Sequence, residues 1–339
     1  MPGTSFDVIT IGHGSGGQLT NQLLEEHIFP LFDNEYIDQR ADGVILPRID
    51  RPVFTTDSFV VSPISFPGGN IGDLAVNGTV NDIAMCGGIP KYISLGLILE
   101  EGLDLKVLKE VLQAVHMAAN RAGVQIVTGD TKVVERGKGD KMFINSSGIG
   151  DLHKKANLGF ESVKEGDCIL INRSIGSHGI VVMSKRADTQ FETNIESDTA
   201  PLNHMVTKML DLFGEDIHLM RDATRGGVAT VLAEIALSGK FGIEVKRNAF
   251  SVDPEVSAAC EMLGYDPLYV ANEGAMVTIV AAQRADDVIK FMRTDENGAQ
   301  ASIVGNIVYQ HEGKVIISNE IGGRSVLNML PGEQLPRIC

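Results

Sequence analysis

Scarcity sets the first limits on what this chain can do. Basic residues are few: 29 Lys+Arg against 44 Asp+Glu leave a formal charge of −15. A chain so acidic has no generic electrostatic pull on nucleic acid or on anionic lipid, and neither is expected as a partner. Only four cysteines occur, Cys86, Cys168, Cys260 and Cys339, and no two form a Cys-x-x-Cys pair. A structural zinc site or a dense disulfide framework is therefore not expected. No apolar run approaches the roughly 20 residues of a membrane span. The opening Met1-Pro2-Gly3-Thr4-Ser5-Phe6-Asp7 lacks the basic and long apolar regions of a secretory signal. The expected location is a reducing compartment, the cytoplasm. No Gly-x-x-x-x-Gly-Lys-Ser/Thr stretch is present either, because Gly137-Lys138, Gly239-Lys240 and Gly313-Lys314 all lack the required neighbours. A P-loop is excluded at the level of motif.

What is present fits a globular protein of two domains. The 339 residues are 43% hydrophobic, enough for a sizeable core, and domains run at roughly 100–200 residues each. Glycine, at 37 residues, exceeds the usual share of about 7% and is needed in turns or close to a ligand. Periodicity predicts strands at 6–11, 53–61, 92–99, 124–128 and 142–150, with helices from Gln18 to about Phe29, over 73–85 and from Leu105 to Gly123. Charge and glycine cluster over 151–166, where a domain boundary is expected. Beyond it lie a strand at 168–172, helices at 177–187, 202–213, 227–238 and 284–293, and strands at 275–281, 301–309 and 314–318. The expected fold class is α/β with mixed sheets in two domains. The last ten residues, with two prolines and a glycine, should form an extended tail.

Several motifs carry chemistry. Gly12-x-Gly14-x-x-Gly17, between a strand and a helix, matches a dinucleotide fingerprint but equally a plain glycine turn. Asp73, Asn77 and Asn81 recur at i, i+4 and i+8, and so form one polar stripe on a helix. Such residues are poor helix formers, and a solvated face would more often carry Glu and Lys, so a ligand is the favoured reading. Asp57 interrupts an apolar strand, and Asp130 follows another, two residues before Lys132. With Asp82 these acids are the parts list for Mg²⁺ and polyphosphate, since magnesium takes few carboxylates plus phosphate oxygens. Asp222-Ala-Thr-Arg-Gly-Gly227 opens a helix, either as an anion site to which Arg225 adds a bidentate donor or as an ordinary Asp cap with packing glycines. Asn272-Glu-Gly274 alone reads as a turn. His13, His178 and His204 have no metal-ligand spacing and read as surface or satisfied core histidines. Cys339 ends the chain, and a thiol on a mobile tail can enter a site as a core thiol cannot.

Together these blocks, with the terminal Pro336-Arg-Ile-Cys339, resemble the HypE family of nickel–iron hydrogenase maturation proteins, within the aminoimidazole ribonucleotide synthetase-like superfamily. The resemblance runs from residue 12 to the last residue. It implies a two-domain fold in which the N-terminal sheet pairs with a second subunit to make an inter-subunit barrel in a homodimer. Its parts would be a glycine-rich segment at 1–40, an ATP-binding and dimerisation domain at 41–155, a C-terminal domain at 156–318 and a flexible tail at 319–339. It implies that a carbamoyl group is placed on Cys339 by the carbamoyltransferase HypF. ATP then dehydrates the S-carboxamide to a thiocyanate, and the cyano group passes to iron held by the HypC–HypD complex. On this basis Asp57, Asp82 and Asp130 are assigned to Mg²⁺ and the phosphates. Asp73, Asn77, Thr79, Asn81, Gly129, Thr131, Arg225 and Gly226 are assigned to nucleotide binding, with the loop carrying Gly14 and Gly16 lying over it. Lys132 and Glu273 are the candidates for charge stabilisation and proton transfer. Two rivals stand beside this: a superfamily enzyme acting on a free small amide, and a non-catalytic, nucleotide-gated docking protein. The selenophosphate synthetase branch is disfavoured, because no cysteine precedes Cys86.

Overall fold

The computed structural model describes residues 6–186, 193–330, 332 and 337–339. After a short helix α1 (Gln18–Leu23), the N-terminal half is organised by strands β1 (Pro52–Phe59), β2 (Ser65–Phe66), β3 (Gly69–Asn70), β4 (Gly88–Glu100), β5 (Gln125–Val134) and β6 (Met142–Leu152). β2 and β3 form a two-residue ladder of their own; the other four make one sheet in the order β1-β6-β4-β5. Only β4 and β5 run parallel, joined by the crossover helix α3 (Leu105–Ala122). β1 and β5 are the two edges, so no barrel closes within the described part of one chain.

α3 follows from its sequence. Leu105, Leu108, Val111, Leu112, Val115 and Ala119 are buried along one face. Asp104 caps the start by accepting the Lys106 N–H at 2.7 Å, and Gly123 ends the helix at φ 70°. α2 (Ile71–Met85) differs: all but one of its residues are buried, so it is a core helix with no solvent face. The predicted strand at 6–11 is instead a single bridge, Val8 with Asp104, followed by a 3-10 turn over Ile11–Gly14. The Thr10 N–H is taken by His13 Nδ1 at 2.9 Å, which offers the backbone a local partner in place of a ladder. The helix expected from Gln18 to Phe29 loosens after Leu23 into a π-turn and a 3-10 turn containing Pro30.

The second half is a seven-stranded sheet. Its strands are β7 (Cys168–Ile171), β8 (Ile217–Asp222), β9 (Gly242–Lys246), β10 (Met276–Val280), β11 (Ser302–Val308), β12 (Val315–Ser318) and β13 (Arg324–Leu327), in the order β13-β12-β9-β11-β7-β10-β8. Helices α4 (Ser177–Ser184), α5 (Asn203–Phe213), α6 (Gly227–Gly239), α7 (Pro254–Leu263) and α8 (Ala285–Met292) pack around it. β8, β9, α7 and β13 were not anticipated. β13 lies within the stretch expected as tail, where Arg324–Leu327 adds an antiparallel edge to β12.

One apolar cluster spans both halves, joining the N-terminal sheet and α3 to Ile180, Val256, Val270 and Ile338. Ile338 is only 3% exposed, although it is one residue from the chain end, and burying such a side chain is worth about 1.5–3 kcal/mol. Among the described residues, no helix is long and apolar enough to cross a membrane.

Candidate active site

A cavity of about 600 Å³ opens where the two halves meet. Ser58 from β1, then Asp222, Thr224, Arg225 and Gly226 between β8 and α6, and Cys339 from the tail are among its walls. The turn into α6 is sharp, with Gly226 at φ 72° and Gly227 at φ 63°. A Cβ on Gly227 would lie 2.5 Å from the Leu268 carbonyl oxygen, so only glycine brings the helix start this close to the neighbouring loop.

Acids gather around this opening. Asp57 has its pKa raised by burial, opposed by the Ser58 N–H and by Arg225. Burial also raises Asp82, with Asp57 adding to the rise, while the Thr55 hydroxyl donates to it at 2.8 Å. Asp222 is pushed up to about 6 by burial and then by Asp82. Burial raises all three, neighbouring carboxylates add to the rise at Asp82 and Asp222, and Arg221 and Arg225 are the cations that oppose it. Among the described residues no three His, Cys, Asp or Glu side chains converge closely enough to hold a metal ion by themselves.

The Asn272-Glu273-Gly274 segment is far more than a turn. Asn272 accepts the Gly176 N–H at 2.7 Å and donates to the Ala223 carbonyl at 2.8 Å. The backbone N–H groups of Glu273 and Gly274 donate to the two carboxylate oxygens of Asp198, at 3.1 and 3.0 Å. A Cβ on Gly274 would lie 2.0 Å from the Asp198 carbonyl oxygen. The clamp holds Glu273 at 3% exposure, with Oε1 lacking any hydrogen-bond partner among the described residues. Burial first, then Asp198, Asp222 and Asp57, raise its pKa well above the ordinary carboxylate range. An orphaned buried carboxyl of raised basicity is suited to accepting a proton.

The tail's last three residues are docked. The Val60 N–H donates to the terminal Cys339 oxygen at 3.1 Å and the Ser62 N–H to the Arg337 carbonyl at 3.2 Å. The Arg337 Nε returns a bond to the Val60 carbonyl at 3.0 Å. Arg186 donates to the Arg337 carbonyl at 2.9 Å, and the Arg337 guanidinium meets Asp140 at 2.8 Å. His178 Nε2 lies 2.9 Å from the Ile338 carbonyl oxygen.

The other sequence-derived candidates fall elsewhere. The α2 stripe faces the segment before α5: Asn77 donates to the Thr199 hydroxyl at 3.1 Å, while Asn81 donates to the Ala200 carbonyl at 3.0 Å and accepts the Leu202 N–H at 2.8 Å. Asp73 forms a capping box with Asn70 and pairs with Arg121 at 3.2 Å. Thr79 shares a 2.5 Å hydrogen bond with Ser146. These partners join α2 to its surroundings, and only the Asn77 Oδ1 is left without one. Asp130 and Lys132 are not with Asp57 and Asp82. They lie on the edge strand β5, paired at 2.6 Å, and the Lys132 ammonium holds the Asp130 carboxyl below its usual pKa. Thr131 donates its N–H to Asp130 at 2.9 Å. A Cβ on Gly129 would lie 2.3 Å from the Leu95 carbonyl oxygen, and one on Gly14 2.4 Å from the Val133 nitrogen, so the glycine loop rides on β5; Gly16 has open space. A second cavity of about 390 Å³ lies here, walled by Phe29, Tyr36, Leu97, Thr128 and Asp130 among others. Asp198 and His178 were missed as site residues, because their roles depend on partners 75 and 160 positions away in sequence.

Family models described as AIR synthase related protein, N-terminal domain and C-terminal domain match residues 41–152 and 164–318. The chain is 46% identical over 335 residues to the carbamoyl dehydratase HypE of Rhizobium leguminosarum bv. viciae, covering 98% of this chain and 95% of that protein. A crystal structure of the hydrogenase maturation protein HypE in complex with ATP is similar at a TM-score of 0.93 and 42% identity, covering 97% of this chain and 99% of that one. A chain in the crystal structure of a HypE–HypF complex is similar at a TM-score of 0.80 and 43% identity, covering 91% of this chain and 99% of that one.

Proposed function

This chain belongs to the HypE family of carbamoyl dehydratases, built from the AIR synthase related domains, and on that premise we propose that it uses ATP to dehydrate an S-carboxamide carried on its own Cys339. The observation that carries the reading is that the tail's final residue, Cys339, lines one cavity with Asp222, Arg225 and the glycine-rich start of α6. An amide oxygen is a poor leaving group. Transfer of the ATP γ-phosphoryl group to that oxygen makes it one, and loss of the two nitrogen protons with departure of phosphate leaves the thiocyanate. Arg225 and the helix start are suited to phosphate. Glu273 is the group for a proton on nitrogen, and Lys132 the second candidate. Mg²⁺ fits the clustered, desolvated Asp57, Asp82 and Asp222, because magnesium takes one or two carboxylates and completes its shell with water and phosphate. When bound, it supplies positive charge against the phosphates. Arg186, His178 and the backbone of Val60 and Ser62 hold the tail, so the reacting group is positioned before the chemistry begins.

The separated candidates fit a homodimer. With Asp57 and Asp82 near one sheet edge and Gly14, Asp130 and Lys132 at the other, a two-fold pairing of sheets would let one chain's β5 face complete its partner's cleft. HypF, found bound to a relative, is the donor-side partner in this reading, and the HypC–HypD complex the acceptor of cyanide.

The test is the mass of the C-terminal peptide of carbamoylated protein before and after ATP and Mg²⁺. Loss of one water is expected. Phosphate release with the tail mass unchanged, or with residues 337–339 removed and a free amide supplied, would overturn the proposal.

A further inference from the structure

His178 is wholly buried and holds the tail through the tail's backbone, without touching the reacting atoms. Its ring stacks edge-on against Phe66, with centroids 5.2 Å apart. Nε2 lies 2.9 Å from the Ile338 carbonyl oxygen, and a carbonyl only accepts, so Nε2 carries the hydrogen. Burial favours the neutral ring, leaving Nδ1 to accept from the Ser197 hydroxyl at 2.8 Å. Ser197 Oγ in turn accepts the Thr199 N–H at 3.2 Å. The tautomer is thus fixed from behind by a segment that does not belong to the tail. In front of the same Nε2, at 4.0 Å, lies Glu273 Oε1, the buried oxygen that has no hydrogen-bond partner among the described residues.

One N–H therefore faces two acceptors, the tail carbonyl at hydrogen-bond distance and the carboxyl about an ångström beyond it, and satisfies the first. We propose that His178 is a positioning residue that couples tail docking to the state of Glu273: its Nε2–H holds the Ile338 carbonyl when the tail is in, and turns to Glu273 Oε1 when the tail is out. The physical reason is that a buried donor is costly to leave unpaired. Removing the tail carbonyl makes the nearby carboxylate the remaining partner. A docked tail leaves Glu273 unpartnered and able to take a proton; an absent tail masks it, so ATP is not turned over without substrate. This deepens the reading of Glu273 as a proton acceptor and rests on it.

The test reads the ring directly. In protein with ¹⁵N-labelled histidine, the His178 Nε2–H resonance is assigned through its contact with Phe66. It should shift when the chain ends at Arg337, and shift again when Glu273→Gln is added to the shortened chain. In the full-length protein Glu273→Gln should leave it in place. A resonance indifferent to truncation, or indifferent to Glu273 after truncation, would overturn the coupling. A second arm measures alkylation of Cys339 by mass, with buried Cys260 as the reporter of unfolding. His178→Leu should expose Cys339 about tenfold faster, the size of one lost hydrogen bond, and His178→Gln, which keeps a donor, should restore protection. Equal rates in both variants with Cys260 still protected would count against the coupling. Normal dehydration by full-length Glu273→Gln would instead remove Glu273 as the base while leaving the ring's response intact, so the two failures are distinguishable.

Discussion

Asp57 and Asp130 stand on opposite edge strands of the four-stranded sheet, with β6 and β4 between them. Three inter-strand steps separate their backbones by roughly 14 Å. One chain does not bring both to a single phosphate; the two-fold pairing proposed above would. Mixing Lys132→Ala and Glu273→Gln proteins, each inactive alone, should restore about a quarter of wild-type dehydration, since half of random dimers are mixed and each holds one intact composite site. Activity that stays at zero in demonstrated mixed dimers would place Lys132 and Glu273 in the same single-chain site.

Asp222 sets a pH dependence of stability. Its pKa is about 6 in the fold against 3.8 for a free side chain. Below about pH 4 both states hold the proton and the group costs nothing. Between about 4 and 6 the unfolded chain releases it first, so stability falls as pH rises, and above that the loss is constant at about 3 kcal/mol. Without nucleotide or Mg²⁺, Asp222→Asn should therefore be more stable than the parent at pH 7.5 by about that amount, and equal to it near pH 3.5. Denaturant titrations at the two pH values check this; a variant less stable at both would refute it.

Gly274 has no room for a methyl group, because the added atom would meet backbone that is itself held by the clamp. Gly274→Ala should cost about 3 kcal/mol or more in unfolding free energy. Gly17→Ala, at a position with open space and φ −100°, should stay within about 1 kcal/mol. Equal effects at both sites would show that the clamp yields.

Docking of the tail should depend on its buried residue more than on its charge. The Arg337–Asp140 pair is about 40% exposed on each side, and such pairs contribute about 0–1 kcal/mol. Asp140→Asn should change the Cys339 alkylation rate by less than about fivefold, and less still at high salt. Ile338→Ala removes a side chain from the core and should raise that rate by more than about tenfold. The reverse ranking would mean that charge, not burial, seats the tail.

Local rules carried a good deal of this. The stripe from Leu105 to Ala119, the stop at Gly123 and the strands over 92–99 and 142–150 were legible, because spacing and caps act within a few residues. So were the family and the chemistry it implies, since Asp57, Asp82, the Asp222–Gly227 block and the terminal Cys339 stand in the order the family shares. Other features depended on distant partners. The polar residues Asp73, Asn77 and Asn81 suggested a ligand, yet their hydrogen bonds go to Arg121 and the Thr199–Leu202 segment. Asn272-Glu-Gly274 looked like a turn until Asp198 closed on it.

The order of residues alone determined the periodic helices and strands, the net acidic charge and the terminal thiol that is proposed to react, because these are properties of neighbours along the chain. Tertiary structure alone decided that Glu273 is desolvated and unpartnered, that His178 lies between it and the tail, and that Asp57 and Asp130 lie on opposite edges of one sheet. Burial and pairing across a hundred positions are set by how the two halves close on each other, and that is a property no short window of sequence contains.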